Sequence, residues 1–179
     1  MADRLAFGMR LAHSLPGSSK SKSEYVKDAK QYIELGKLMH WRRALSSLYE
    51  QPMKIDGLTF QTAEHYLQYR KLALANEKKA RELFAMESLS VTALGSGWDA
   101  QRKRKAVLLS TSQWKQWEEN VMAESKAVIR REKFRQGTIA YRVLMATGDA
   151  ELWHVAPRCR PVRMHRTEAR RASLRAAQE

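Results

Sequence analysis

"MKIDGLTFQTAEHYLQYRK", residues 53–71, is the stretch from which the fold can be read. Its first ten residues alternate apolar and polar side chains and contain Asp56-Gly57, a dipeptide that tolerates the positive φ of a tight hairpin turn. Two short strands are therefore expected on either side of it. Thr62 then has the side chain to cap a helix, and Glu64 falls in the first turn, where a negative charge complements the helix dipole. In that helix, expected to run to about Leu74, Glu64, Gln68 and Lys71 recur at i, i+4 and i+7 on one face. Ala63, Tyr66, Leu67 and Leu74 form a neighbouring apolar face. The spacing alone is equally compatible with an active-site face and with a solvated stripe that supports the helix.

Further along the chain, "NEKKARELFAM" (76–86) reads as a second helix and "VTALG" (91–95) as a third, ending at the Gly95-Ser96-Gly97 break. From about Ser112 to Phe134 the pattern is amphipathic and helical. "IAYRVLMATGDAELWHVAP" (139–157) gives a helix stopping near Gly148 and then a short strand. Before the hairpin, Tyr25, Ala29, Tyr32, Ile33 and Leu35 set a helical rhythm that is interrupted at Gly36. "HSLPGSSKSKS" (13–23) is rich in Pro, Gly and Ser and is expected to be an extended arm, preceded by a short amphipathic segment with Arg4 and Arg10. The class is α+β, helix-rich with few short strands.

The 179 residues suffice for one core with extensions. The expected organisation is a basic arm and helix over 1–44, a central domain over 45–156 and an Arg-rich tail over 157–179. No apolar run approaches the roughly 20 residues that span a bilayer, so no membrane partner is expected. A single cysteine, Cys159, excludes an internal disulfide and a multi-cysteine zinc site, and no metal or cofactor is expected.

A formal charge of +14 makes a polyanion the leading partner class, because cationic surfaces release counterions when they bind nucleic acid. The charge falls in three clusters. The first is Arg42 and Arg43; the second is Arg102, Lys103, Arg104 and Lys105. The third is the C-terminal run, with Arg158, Arg160, Arg163, Arg166, Arg170 and Arg171, whose planar guanidinium forks suit phosphate. Together they form the expected RNA-binding set.

The hairpin and helix are similar to the signature of the NADAR, or YbiA-like, family, in which a strand ending in Asp-Gly leads to a T-x-E-H-Y-x-Q-x-x-K helix. "ALG" (93–95), a tryptophan before a long helix, "KF" (133–134) and "LMATGDAEL" (144–152) follow in the family's order, so the resemblance covers about residues 45–156. It implies a compact α+β domain that cleaves N-glycosidic bonds of ADP-ribose-like or riboflavin-precursor substrates without a metal. By resemblance, Glu64 is the carboxylate that stabilises the oxocarbenium-like charge or activates water, Lys71 contacts phosphate or anchors Glu64, and a tryptophan stacks on a ring. Trp117 fits the spacing to "KF" better than Trp114, although either needs a small insertion or deletion.

The chain departs from the family at three places. Ser46 to Leu48 read Ser-Ser-Leu where the family has Ser-Asn-Phe, and Gly95-Ser96 stand for Gly-Arg. After the ATGD segment, Cys159 takes the place of an acidic residue and Val162-Arg163 replace Trp-Gly. A neutral thiol does not hold a developing cation as a carboxylate does. Flanking Arg158 and Arg160 would favour a thiolate, but a nucleophile also needs a positioned base, for which His154 and His165 are the candidates.

Two functions follow from these features. The first is a non-catalytic NADAR-like subunit of a large ribonucleoprotein, most concretely a mitochondrial ribosome, binding rRNA and neighbouring proteins through basic arms in an organellar matrix. The second is a working N-glycosidase, organellar or cytoplasmic, acting on ADP-ribose-type nucleotides or ADP-ribosylated nucleic acid.

Overall fold

Asp56 and Gly57, at φ 50° and 82°, close a two-residue turn with both residues in the left-handed region. This turn joins β2 (Glu50–Ile55) to β3 (Leu58–Thr62), which pair antiparallel with Ile55 opposite Leu58. The computed structural model describes residues 1–178; Glu179, the last residue of the expected tail, lies outside the described residues. The fold is α+β, and its contacts divide the chain into two units. One is Ser47–Arg135; the other joins residues 1–46 to the chain from Gln136 onward.

In the contiguous unit, the Thr62 hydroxyl accepts from the His65 amide and starts α3 (Ala63–Phe84), as the sequence leads one to expect. The expected break near Leu74 falls at Asn76, whose backbone is non-helical and whose side chain accepts from the Lys79 amide to start the second half. Met53, Ile55, Phe60, Ala63, Tyr66 and Ala85 form one buried cluster, and Leu72, Ala80, Phe84 and Ala100 a second.

The expected helix at "VTALG" is absent. Those residues form turns, and the next helix, α4 (Gly97–Arg102), starts at Ser96. The expected long helix is present as α5 (Thr111–Gln116), a π-helical segment (Trp117–Val121) and α6 (Met122–Lys133). The other strands and helices belong to the split unit: β1 (Arg4–Phe7), α1 (Ile33–Lys37), α2 (Trp41–Ala44), α7 (Ile139–Ala146), β4 (Glu151–His154), β5 (Val162–Arg163) and α8 (His165–Ala176).

The N-terminal residues do not behave as an arm. Leu5, Ala6 and Phe7 are fully buried, in the run of consecutive apolar residues that a strand covered on both faces requires. β1 pairs parallel with β4, Arg4 opposite Glu151, and β5 pairs antiparallel on the far side of β4. The Phe7 and Trp41 rings meet edge to face at 5.3 Å.

The serine-rich stretch is also tied down. The Glu24 carboxylate accepts from the amides of Ala6, Gly17 and Ser19 and pairs with the Arg42 guanidinium. The C-terminal run is not a free tail either. α8 packs on β4, and Arg171, buried, donates to Thr147 Oγ1 and to the Ala150 carbonyl.

Candidate functional site

The Glu64 side chain lies at the start of α3, where the preceding hairpin delivers it. Its backbone N–H donates to the Ser47 carbonyl at 3.0 Å. The carboxylate is held by neutral donors, Ser47 Oγ at 3.2 Å and Gln68 Nε2 at 2.8 Å, and the residue is only 6% exposed. A carboxylate only accepts, so the Gln68 amide nitrogen must face Glu64. Its Oε1 is left buried without a hydrogen-bond partner. Ser47 stands where the family has the asparagine of Ser-Asn-Phe; the sequence marks it only as a departure, whereas its hydroxyl is a donor to the Glu64 carboxylate.

The neighbouring histidine has a structural role. His65 is fully buried, with Nε2 2.8 Å from the Thr92 carbonyl and Nδ1 2.9 Å from Thr62 Oγ1. The carbonyl can only accept, so Nε2 carries the proton and neutral Nδ1 accepts from the threonine hydroxyl. Burial pushes the imidazole below its ordinary pKa, against a smaller upward pull from the Thr92 hydrogen bond.

Two turns beyond Glu64, Lys71 enters a cleft of about 500 Å³ lined by Lys71, Arg104, Lys105, Val107, Leu108, Leu109 and Trp114. Its ammonium stands 4.2 Å from the centre of the Trp114 ring. Burial, then the Arg104 charge, lowers the Lys71 pKa, while Glu64 pulls it the other way. The cleft thus combines an exposed indole, an apolar wall and three cations, a set suited to an aromatic ring bearing phosphate.

The choice of tryptophan from the sequence is therefore corrected. Trp117 is buried, 6% exposed, while Trp114 lies at the cleft and is 42% exposed. The choice rests on sequence spacing to Phe134, which counts residues and carries no information on which ring is buried; Trp117 opens a π-helical segment with its ring in the interior.

The basic residues divide just as sharply. Arg42 is withdrawn from the RNA-binding set because its guanidinium is buried, paired with Glu24 and stacked 4.0 Å over Trp41. Arg171 is withdrawn because it is buried on Thr147 and Ala150. Arg163 is only partly exposed and pairs with Glu151 and Glu168, and Arg43 donates to the Leu11 carbonyl. Arg102 pairs with Asp99, and Arg170 is half-buried. Lys103, Arg104, Lys105, Arg158, Arg160 and Arg166 are exposed.

Ser96, at the position where the family has arginine, is occupied as a helix cap. Its hydroxyl and amide both donate to the Asp99 carboxylate, at 2.6 and 2.8 Å, and hold its pKa down to about 2. Cys159 is exposed; of its candidate bases, His165 is exposed and lies 3.8 Å from Glu168, and burial lowers the His154 pKa. No group of three or more potential metal ligands occurs among the described residues.

A family model, that of the NADAR domain, matches residues 24–160, more than half of the chain. The NMR structure of the E. coli protein YbiA is similar in fold, with a TM-score of 0.52 and 19% sequence identity, covering 99% of this chain and 86% of that one. A search of curated proteins finds no significant match.

Proposed function

Because the chain belongs to the NADAR family, we propose that it is an N-glycosidase acting on an ADP-ribose-type nucleotide, with Glu64 as the carboxylate facing the sugar. The observation that carries this reading is the placing of Glu64 and Lys71 at i and i+7 on one face of α3. The first is a buried carboxylate held only by neutral donors, and the second an ammonium in a cleft with an exposed indole. As the N-glycosidic bond breaks, positive charge develops on the ribose, and an ionised carboxylate stabilises it or accepts a proton from the attacking water. Ser47 and Gln68 occupy two of the carboxylate's acceptor sites and leave others for this work. Lys71 and Arg104 would take phosphate, and Trp114 the base.

Incubating the pure protein with ADP-ribosylated DNA and with free nucleotide substrates tests this. Turnover that disappears in Glu64→Gln supports it; absence of turnover in the wild type on every substrate of the class overturns it.

A second reading, a non-catalytic subunit of a ribonucleoprotein such as an organellar ribosome, is favoured by a different observation. The chain carries +14, and among the cations expected to meet RNA, Lys103, Arg104, Lys105, Arg158, Arg160 and Arg166 are exposed and outside any ion pair of the described residues. Co-sedimentation with a large RNA particle that survives moderate salt is its expected result. The internal ties of Arg42 and Arg171 take away part of the support it drew from basic arms.

A further inference from the structure

A second cleft, of about 560 Å³, lies wholly within the split unit, and nothing in the reading of Glu64 uses it. Arg10, Ser14, Ser19, Lys20, Ser21 and Val155 are among its lining residues. Its place in the topology is informative. β1 and β4 run parallel and end at Phe7 and His154, and the cleft is built from the residues that follow them. The cleft thus lies just beyond the carboxyl ends of the two parallel strands.

The two strand ends are locked together. Val155 N–H donates to the Phe7 carbonyl at 2.8 Å, and a β-carbon on Gly8 would come within 2.2 Å of the Val155 oxygen. The serine loop is also preorganised. Glu24 accepts from the Gly17 and Ser19 amides, and Arg42 donates to Ser14 Oγ at 2.9 Å and to the Leu15 carbonyl at 3.0 Å.

The hydroxyls have their acceptor side engaged. Ser14 Oγ accepts from Arg42, Ser19 Oγ from the Ser21 amide, and Ser21 Oγ from the Ser23 amide. A hydroxyl that accepts in this way still has its hydrogen to give. Arg10 and Lys20 are exposed, and neither forms an ion pair among the described residues. The cleft therefore offers hydroxyl donors and two cations on a fixed frame, with no carboxylate in its lining.

We propose that this cleft is a binding site for a phosphoryl group of a small molecule, with Arg10 and Lys20 supplying the charge and Ser14, Ser19 and Ser21 the directed donors. The size fits a ligand as large as a nucleotide, since small-molecule sites span roughly 300–1,000 Å³. The proposal stands independently of the N-glycosidase reading, because it concerns other residues in another unit.

The test is a titration of the full chain with inorganic pyrophosphate, followed by backbone amide NMR. The expected result is saturable shifts at Ser18, Ser19, Lys20 and Ser21. Losing two charge-assisted contacts in Arg10→Gln with Lys20→Gln should weaken that response by about tenfold or more. Lys78→Gln with Lys79→Gln, which removes the same charge from exposed positions on α3, should change it by less than about twofold. Shifts confined to Lys71 and Trp114, shifts spread over all basic residues without saturation, or equal losses in both double variants would each overturn the proposal. Loss of hydrolysis in Glu64→Gln has no bearing on this readout, so failure of one reading is separable from failure of the other.

Discussion

Glu24 and Arg42 form an ion pair inside the split unit, each side chain only 1% exposed. The pair is satisfied on all sides: three backbone amides donate to the carboxylate, and the guanidinium also reaches Ser14, Ala6 and Leu15. Removing one partner of such a pair leaves a charge without compensation. Glu24→Gln is expected to destabilise the fold by about 3–5 kcal/mol, measured as a shift of the urea midpoint. Adding Arg42→Met to Glu24→Gln should cost less than the sum of the two single changes, because the stranded cation is gone.

His65 predicts a pH dependence. Burial lowers its pKa in the folded chain below the ordinary 6.5, so the unfolded state binds the proton first as pH falls. Its contribution to stability is thus complete above about pH 6.5 and is lost progressively as the medium is acidified towards the folded pKa. His154, also shifted down by burial, adds to the same slope. Unfolding free energy measured between pH 8 and pH 5 should fall on acidification, and the slope should be shallower in His65→Gln.

The two tryptophans should separate cleanly. Trp117→Ala removes a buried ring and is expected to cost about 3–5 kcal/mol of stability. Trp114→Ala should leave the urea midpoint nearly unchanged and instead weaken nucleotide binding by about 1–3 kcal/mol, the value of a ring stacked on a base. Equal effects of the two changes on stability would contradict the placement of Trp114 at the cleft.

Two glycines are needed for different reasons. Gly57 sits at φ 82° in open space, so Gly57→Ala should cost about 1 kcal/mol of backbone strain. Gly8→Ala drives a methyl group into the Val155 carbonyl and should be the more damaging of the two, read as the larger drop in Tm.

Legibility in the sequence followed the range of the interaction. The Asp56-Gly57 turn, the Thr62 cap and the break at Asn76 were readable because each is decided by neighbours within four residues. Glu64 and Lys71 were readable as one face for the same reason. The strand Arg4–Phe7 was missed because its partner, Glu151–His154, lies 147 residues along the chain and four residues carry too little period to announce a strand. Arg42 was misplaced because a charged residue spent in the interior has the same local signature as one at the surface. Trp117 was preferred to Trp114 because its spacing to Phe134 fits better, and spacing along the chain does not report which ring is buried.

The parallel pairing of β1 with β4 also sets an order of events during synthesis. Leu5, Ala6 and Phe7 are made long before the strand that covers them, which is not complete until His154 has been added. The segment Ser47–Arg135 lies wholly between the two strands and has all its own residues before β4 is complete. From Phe7 until His154, then, the growing chain carries an apolar strand with nothing to pair with, and the whole of the other unit is made in that interval.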